Sequence, residues 1–174
     1  MKKLFLLFAL AFVAMSCGDH CPSLCPSNEI WYTNGSTTEP INPSEEDVFG
    51  VNIISNTYDS EKECWVIKFD GDVTTIGGGA FRGCRSLTSV TIPDSVTTIG
   101  YMAFFECSSL TSVYCKATTP PTLGNGYVFD DNASGRKIYV TATSVDDYKS
   151  AENWSEYAAD IVGYDFETGE VVAE

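Results

Sequence analysis

Apolar residues recur along this chain at a fixed long period. From Val73 the chain reads VTTIGGGAFRGCRSLTSVTIPDS, and from Val96 it reads VTTIGYMAFFECSSLTSVYC. An offset of 23 residues carries Ile76 onto Ile99, Ala80 onto Ala103, Phe81 onto Phe104, Cys84 onto Cys107, Leu87 onto Leu110 and Val90 onto Val113. A period in the twenties predicts a solenoid of short coils, each stacked on the last. One step back, Leu87, Val90 and Ile92 land on Cys64, Ile67 and Phe69, so CWVIKF reads as the strand of a diverged coil. One step forward needs 25 residues and carries Phe104 onto Phe129 and Val113 onto Ile138. Atypical terminal repeats are expected where a stack meets water.

Inside a coil, SLTSVTI predicts a strand with Leu87, Val90 and Ile92 inward. Pro93 and Asp94 end it, because proline lacks the amide donor and aspartate favours a turn. VTTIG is a second short extended segment. Gly77, Gly78 and Gly79, or Gly100 alone in the next coil, are expected to supply positive φ at the corner. AFRGC and AFFEC are too short for a helix and place Ala, Phe and Cys in the interior.

The motif IPDSVTTIGxxAFxxCxSLTSV resembles the BspA-like class of leucine-rich-repeat surface proteins, from Cys64 to about Val140. NEIWYTNGS and FGVNIISNTYDSEKECWVIKFDG resemble the strands that precede such repeats. IYVTATSVDDYKSAENWSEYAADIVGYDF resembles their C-terminal cap, with Thr141 departing from an expected proline. The resemblance implies a right-handed leucine-rich-repeat β-solenoid of about three to four coils with a β cap before it and a helical cap after it. It also implies a non-catalytic surface binding module, since some relatives attach to host matrix proteins. The expected organisation is a signal peptide at 1–16, a tether at 17–28, the N-terminal β cap at 29–63, repeats at 64–141 and the C-terminal helical cap at 142–174.

Lys2 and Lys3 precede an apolar run from Leu4 to Ala14, too short to span a bilayer and right for a secretory signal. Ser16-Cys17 resembles a lipobox, which makes Cys17 the candidate lipidation site; an ordinary signal peptide with an incidental cysteine is the alternative. The expected location is therefore the outer membrane or cell surface, with the membrane engaged only through the lipid. GDHCPSLCPSNE, polar and lacking periodicity, reads as the tether. The formal charge is −14, and removing Lys2 and Lys3 with the leader makes it two units more negative. Such a balance attracts no nucleic acid.

Seven cysteines in an exported chain raise the question of disulfides. Cys64, Cys84, Cys107 and Cys115 fall on interior repeat slots, where a thiol packs as a small apolar group. Stacked coils about 4.8 Å apart bring Cys84 and Cys107 within disulfide range; free thiols are the favoured reading. Cys21 and Cys25, beside His20, supply too few ligands for zinc, and a local disulfide or no role fits them better.

The one histidine, His20, lies in the tether, so no His-assisted nucleophile forms in the body. The carboxylate pairs Asp130/Asp131 and Asp146/Asp147 are the sole opening for a glycosidase mechanism, in a chain with 24 acidic residues. DDNASG places Asp130, Asn132, Ser134 and Gly135 as a calcium loop would, but its twelfth position is Thr141 rather than glutamate; a hairpin-like turn is the better reading. No cofactor or metal is expected. Asp94-Ser95-Val96, Asn132-Ala133-Ser134 and Asn34-Gly35-Ser36 match short glycan-acceptor patterns of little weight.

Ser144 with Asp147 resembles a capping box opening a short helix through Tyr148 and Ala151. Trp154, Tyr157, Ala158 and Ile161 fall at i, i+3, i+4 and i+7, predicting a second helix that covers the open end of the stack. With Val90 and Ile92 inward, Thr91 points outward, and the offsets align it with Lys68, Tyr114 and Tyr139. These four are the candidate binding column, with Val66, Ser89, Ser112 and Lys137 beside it. An exposed tyrosine pair suits a docking partner, whereas cross-strand bracing is the competing role. The partner expected is a protein or glycan ligand of a monomer, host matrix in the adhesive reading and an envelope component in the alternative.

Overall fold

The computed structural model describes residues 25–43, 48–124 and 126–172. Cys17, the leader and the tether up to residue 24 lie outside them.

The 23-residue offset is a physical register. Strand β5 (Ser89–Ile92) pairs in parallel with β7 (Ser112–Cys115), setting Val90 against Val113 and Thr91 against Tyr114. Strand β9 (Lys137–Thr141) follows, with Val113 against Ile138 and Tyr114 against Tyr139, which is the 25-residue step. A narrower second sheet runs through β4 (Thr75–Ile76), β6 (Thr98–Ile99) and β8 (Thr122–Leu123), so VTTIG is extended as its β-branched residues suggest. The intervening AFRGC and AFFEC segments are turns.

Those turns also stack. The Phe81 amide donates to the Ala103 carbonyl at 2.8 Å, Gly83 to Phe105 at 2.8 Å, Phe104 to Val128 at 3.0 Å and Glu106 to Asp130 at 3.1 Å. Each coil thus satisfies its buried polar backbone on the next coil. Between the sheets runs a ladder of rings: Phe81 and Phe104 stack at 5.2 Å and 4°, Phe104 and Phe129 at 5.4 Å and 10°. Phe49 meets Phe81 edge-on at one end, and Trp154 and Tyr157 meet Phe129 at the other. Every ring of the ladder is buried, and each contributes about 1.5–3 kcal/mol by burial alone.

Of the glycines expected to supply positive φ at the corner, Gly79 does so, whereas Gly77, and Gly100 in the next coil, are needed for a different reason. Gly77, Gly100 and Gly124 all have ordinary φ; an added methyl would strike the backbone of the preceding coil or, for Gly77, of Val48. The left-handed corners lie two and six residues on, at Gly79 and Gly83 (φ 68° and 70°) in one coil and at Met102 and Glu106 (φ 54° and 60°) in the next.

The N-terminal side departs from simple stacking. Strand β1 (Glu29–Thr33) inserts between β3 (Cys64–Phe69) and β5, antiparallel to both, with β2 (Ile53–Asp59) outside β3. CWVIKF is therefore not the immediate neighbour of SLTSVTI. Because β3 alternates regularly from its first residue, Trp65, Ile67 and Phe69 face the core, and Cys64 packs with Cys25, Trp31 and Val66 on the opposite face. The assignment of Cys64 to a core slot equivalent to Leu87 is corrected accordingly.

Residues 25–28, expected as tether, are bonded to the body. The Ser27 carbonyl accepts from the Val73 amide at 2.8 Å and the Ser27 hydroxyl meets Asp72 at 2.7 Å. The Asn28 carbonyl accepts from Phe69 at 3.0 Å.

The C-terminal region is also corrected. Among the described residues only one short helix forms, α1 (Val145–Ser150), and Ser144 makes no side-chain cap because it sits in a preceding 3-10 turn. The expected second helix is a 3-10 turn at Trp154–Tyr157, after which Ile161 opens a strand, β10 (Ile161–Asp165), parallel to β9. Ile161 lies opposite Ile138, again 23 residues on. A last short strand, β11 (Glu170–Val171), closes that edge, giving the sheet order β11-β10-β9-β7-β5-β1-β3-β2. The apolar spacing still buries Trp154, Tyr157 and Ile161 against the last coil.

Candidate functional site

The outward column is real in register and different in exposure. Thr91, Tyr114 and Tyr139 lie side by side across β5, β7 and β9. Lys68 does not join them. The inserted β1 puts Trp31 beside Thr91 and Val66 beside Trp31, which leaves Lys68 two positions along, opposite Glu29, with Nζ 3.8 Å from the Glu29 carboxylate. Lys68 is exposed, but Thr91 and Tyr114 are each only 3% exposed. The expectation of an exposed tyrosine pair is corrected for Tyr114: Tyr139 stacks on it at 4.8 Å and Tyr164 crosses it at 5.3 Å. Tyr164 meets Tyr139 at 5.3 Å and Phe166 at 5.1 Å, so four aromatic rings fill this part of the face. Tyr139 is half-buried and carries the accessible edge of the group. The neighbouring column of Ser89, Ser112 and Lys137 is in register, with Thr33 of β1 in the place expected for Val66; its hydroxyl bonds Ser89 at 2.6 Å.

Tyr164 and Phe166 were absent from the candidate set. A signal for Tyr164 was available, because the offset that carries Ile138 onto Ile161 also carries Thr141 onto Tyr164. Trp31, which begins the same row from the far side, has no such signal, since β1 belongs to no repeat.

Of the carboxylates considered for catalysis, that of Asp130 has a structural task. Asp130 accepts the Tyr157 hydroxyl at 3.0 Å, and Asp146 and Asp147 sit exposed in the first turn of α1. Asn132 donates to the Phe104 carbonyl at 2.7 Å, so DDNASG is a turn tied to the preceding coil. Beneath it Arg136, 7% exposed, bonds the Phe129 carbonyl and Asn132, pairs with Asp160 at 2.7 Å and lies over the Tyr157 ring at 5.1 Å. This cluster lines a polar hollow of about 260 Å³.

Among the described residues no three His, Cys, Asp and Glu side chains gather as metal ligands. Cys25, Cys64, Cys84, Cys107 and Cys115 are free thiols. Burial pushes the Cys84 and Cys115 thiols up to about 11 and the Cys25 and Cys107 thiols up to about 12, so none is poised as a nucleophile. Cys107 donates to the Phe81 carbonyl at 3.0 Å; Cys84, taken as interior, is half-exposed.

A third surface is the row of turns. Gly78, Gly79, Gly83, Arg82, Tyr101, Met102 and Glu106 enclose a shallow concavity of about 520 Å³, with the Tyr101 ring 51% exposed at its side.

Strand-rich coils in parallel register, joined by stacked turns, define a repeat protein of the leucine-rich kind, a class whose domains are typically non-catalytic binding modules. A family model for the BspA type leucine rich repeat region, in six copies, matches residues 51–150. The chain belongs to that family. Comparison with curated proteins found no match.

Proposed function

We propose that this protein is a non-catalytic, lipid-anchored binding module, adhesive in role, held at the outer membrane or cell surface through Cys17. The observation that carries the reading is the BspA-type repeat match itself, since this family's repeats build surfaces for protein–protein contact or adhesion. The basic, then apolar, leader ending at Cys17 supports the anchor. In this reading the coils form a right-handed solenoid, with the β1–β3 segment at its first end and α1, Trp154 and Tyr157 at its last. Contact falls on the sheet face, where Lys68 and Tyr139 are the accessible members of the candidate column. Thr91 and Tyr114 act beneath them by holding the Tyr139 ring in place. The partner is a host matrix protein and the protein acts as a monomer.

The test is retention of the purified protein on immobilised host matrix proteins and on isolated cell envelope. Tyr139→Ala is expected to weaken matrix retention about tenfold with little change in melting temperature, as for a residue central to a contact. Equal losses of retention and stability would mean that Tyr139 only braces the sheet. Retention on the envelope alone would replace the host partner with a bacterial one. Separately, Cys17→Ala should abolish incorporation of labelled palmitate; continued labelling would remove the anchor from the reading.

A further inference from the structure

Two successive coils differ at five turn positions, and at three of them the first coil has glycine. Where the first has Gly78, Gly79 and Gly83, the second has Tyr101, Met102 and Glu106, each 23 residues on. Two of these positions are left-handed in both coils, with φ of 68° and 70° at the glycines and 54° and 60° at Met102 and Glu106. That backbone is easy for glycine and strained for methionine and glutamate. The glycine coil shows that the turn closes without side chains, so the second coil carries three that the fold does not require. All three line the same concavity of about 520 Å³, together with the glycines and Arg82.

We propose that this turn-face shelf is a binding site for a neutral glycan, with Tyr101 as the stacking platform and Arg82 and Glu106 as partners for its hydroxyls. A pyranose ring has an apolar C–H face and a rim of hydroxyl groups. The half-exposed Tyr101 ring offers the flat apolar surface, and the Met102 thioether lies beside it. The glycines Gly78, Gly79 and Gly83 leave the rest of the shelf without side chains, so a flat ring can approach the backbone. Arg82 presents its planar donors while lying over the Phe105 ring at 5.7 Å, which orients the guanidinium. The Glu106 carboxylate accepts where Arg82 donates, and the two, both lining the concavity, match a pair of adjacent hydroxyls.

Two other ligand classes fit less well. An extended peptide needs unpaired backbone, yet the amides of Gly79, Phe81 and Gly83 are bonded to Tyr101, Ala103 and Phe105 of the next coil. Sialylated or sulfated glycans meet Glu106 and a chain of formal charge −14. This site lies away from the sheet face of the preceding reading and stands or falls independently of it.

The experiment uses the intact protein on immobilised glucose-, galactose- and mannose-terminated neutral oligosaccharides, with sialylated, sulfated and peptide arms alongside. Retention by a neutral oligosaccharide is expected. Tyr101→Gly and Glu106→Gly should each weaken it at least tenfold, with the melting temperature unchanged or higher for Glu106→Gly, because each restores the residue of the glycine coil. Tyr139→Ala should leave glycan retention unchanged. The proposal is overturned if no neutral oligosaccharide is retained, if retention survives both substitutions, or if the charged or peptide arms bind better.

Discussion

Gly100 sits so close to Gly77, its counterpart one coil earlier, that a methyl group on Gly100 would lie 2.7 Å from the Gly77 carbonyl carbon. The same contact recurs at Gly124, where the methyl would lie 2.5 Å from the Tyr101 amide nitrogen. Both obstacles are backbone and cannot rotate aside. Gly100→Ala and Gly124→Ala should therefore each lower stability by at least about 2 kcal/mol, as overpacking against rigid neighbours does. Denaturant midpoints measure this; a loss below about 0.5 kcal/mol would show that the coils can slide apart.

Glu106→Gly should act in the opposite direction. Removing a left-handed non-glycine residue relieves about 1 kcal/mol of backbone strain, less the entropy that glycine adds to the unfolded chain. The expected net is a gain of up to about 0.5 kcal/mol, whereas Glu106→Val should lose about 1 kcal/mol or more at the same φ of 60°. A glycine variant clearly less stable than the parent would mean that the Glu106 side chain holds the turn.

Phe104 is the middle ring of the ladder and has a stacked neighbour on each side. Phe104→Ala should cost about 3–5 kcal/mol and leave a cavity between coils. Phe104→Leu should cost less, about 1–2 kcal/mol, because volume is largely kept. Similar losses for the two would argue that ring stacking rather than filled volume joins the coils.

Arg136 ties the last turn to the segment before β10. Arg136→Ala should cost about 2 kcal/mol by leaving the Phe129 carbonyl and Asp160 without their partner. Asp160→Asn should cost about half as much, since the Asp160 side chain is 34% exposed and the bonds to Phe129 and Asn132 remain. Equal losses would assign the stabilisation to the ion pair instead.

Stability should fall on the alkaline side. Burial raises the Cys115 thiol from 9.0 to about 11 and the Cys107 thiol to about 12, so both stay protonated in the fold after unfolded thiols have ionised. A raised folded pKa stabilises fully below pH 9.0 and loses that contribution as pH rises towards 11 to 12. Melting temperatures at pH 7, 8.5 and 10.5 should be level for the first pair and lower at the third, by less in Cys115→Val. A level curve through pH 10.5 would contradict the burial of these thiols.

The repeating coils were legible because a sequence offset translates directly into strand register: the pairings of β5 with β7 follow the 23-residue step and those of β7 with β9 the 25-residue step. Lys68 was misplaced because a spacing rule cannot detect a strand that arrives from elsewhere; β1 carries no repeat motif and enters between two segments that do. Tyr164 was missed for a physical reason. WSEYAADI has helical spacing, but a helix of so few residues is marginal, and the open edge of β9 offers hydrogen bonds that only a strand can take. The buried state of Tyr114 depends on Tyr164 and so could not be read before that strand was known.

The insertion of β1 also dictates an order of assembly. An ordinary repeat array can begin folding at any neighbouring pair of units, since each touches only the next. Here the earliest described strand finds its partners 37 and 58 residues later, at Ile67 opposite Ile30 and at Val90 opposite Tyr32. Closing those loops carries an entropic penalty before any contact compensates, so this end of the sheet is the slow one. A chain emerging amino-terminus first holds Trp31 and Tyr32 unpaired until β3 has followed, and leaves their second edge open until β5 has followed, so that they are accessible to a holding chaperone throughout that interval. New coils can be added or lost beyond β5 without disturbing that arrangement, which confines length variation to the carboxy-terminal side of the array.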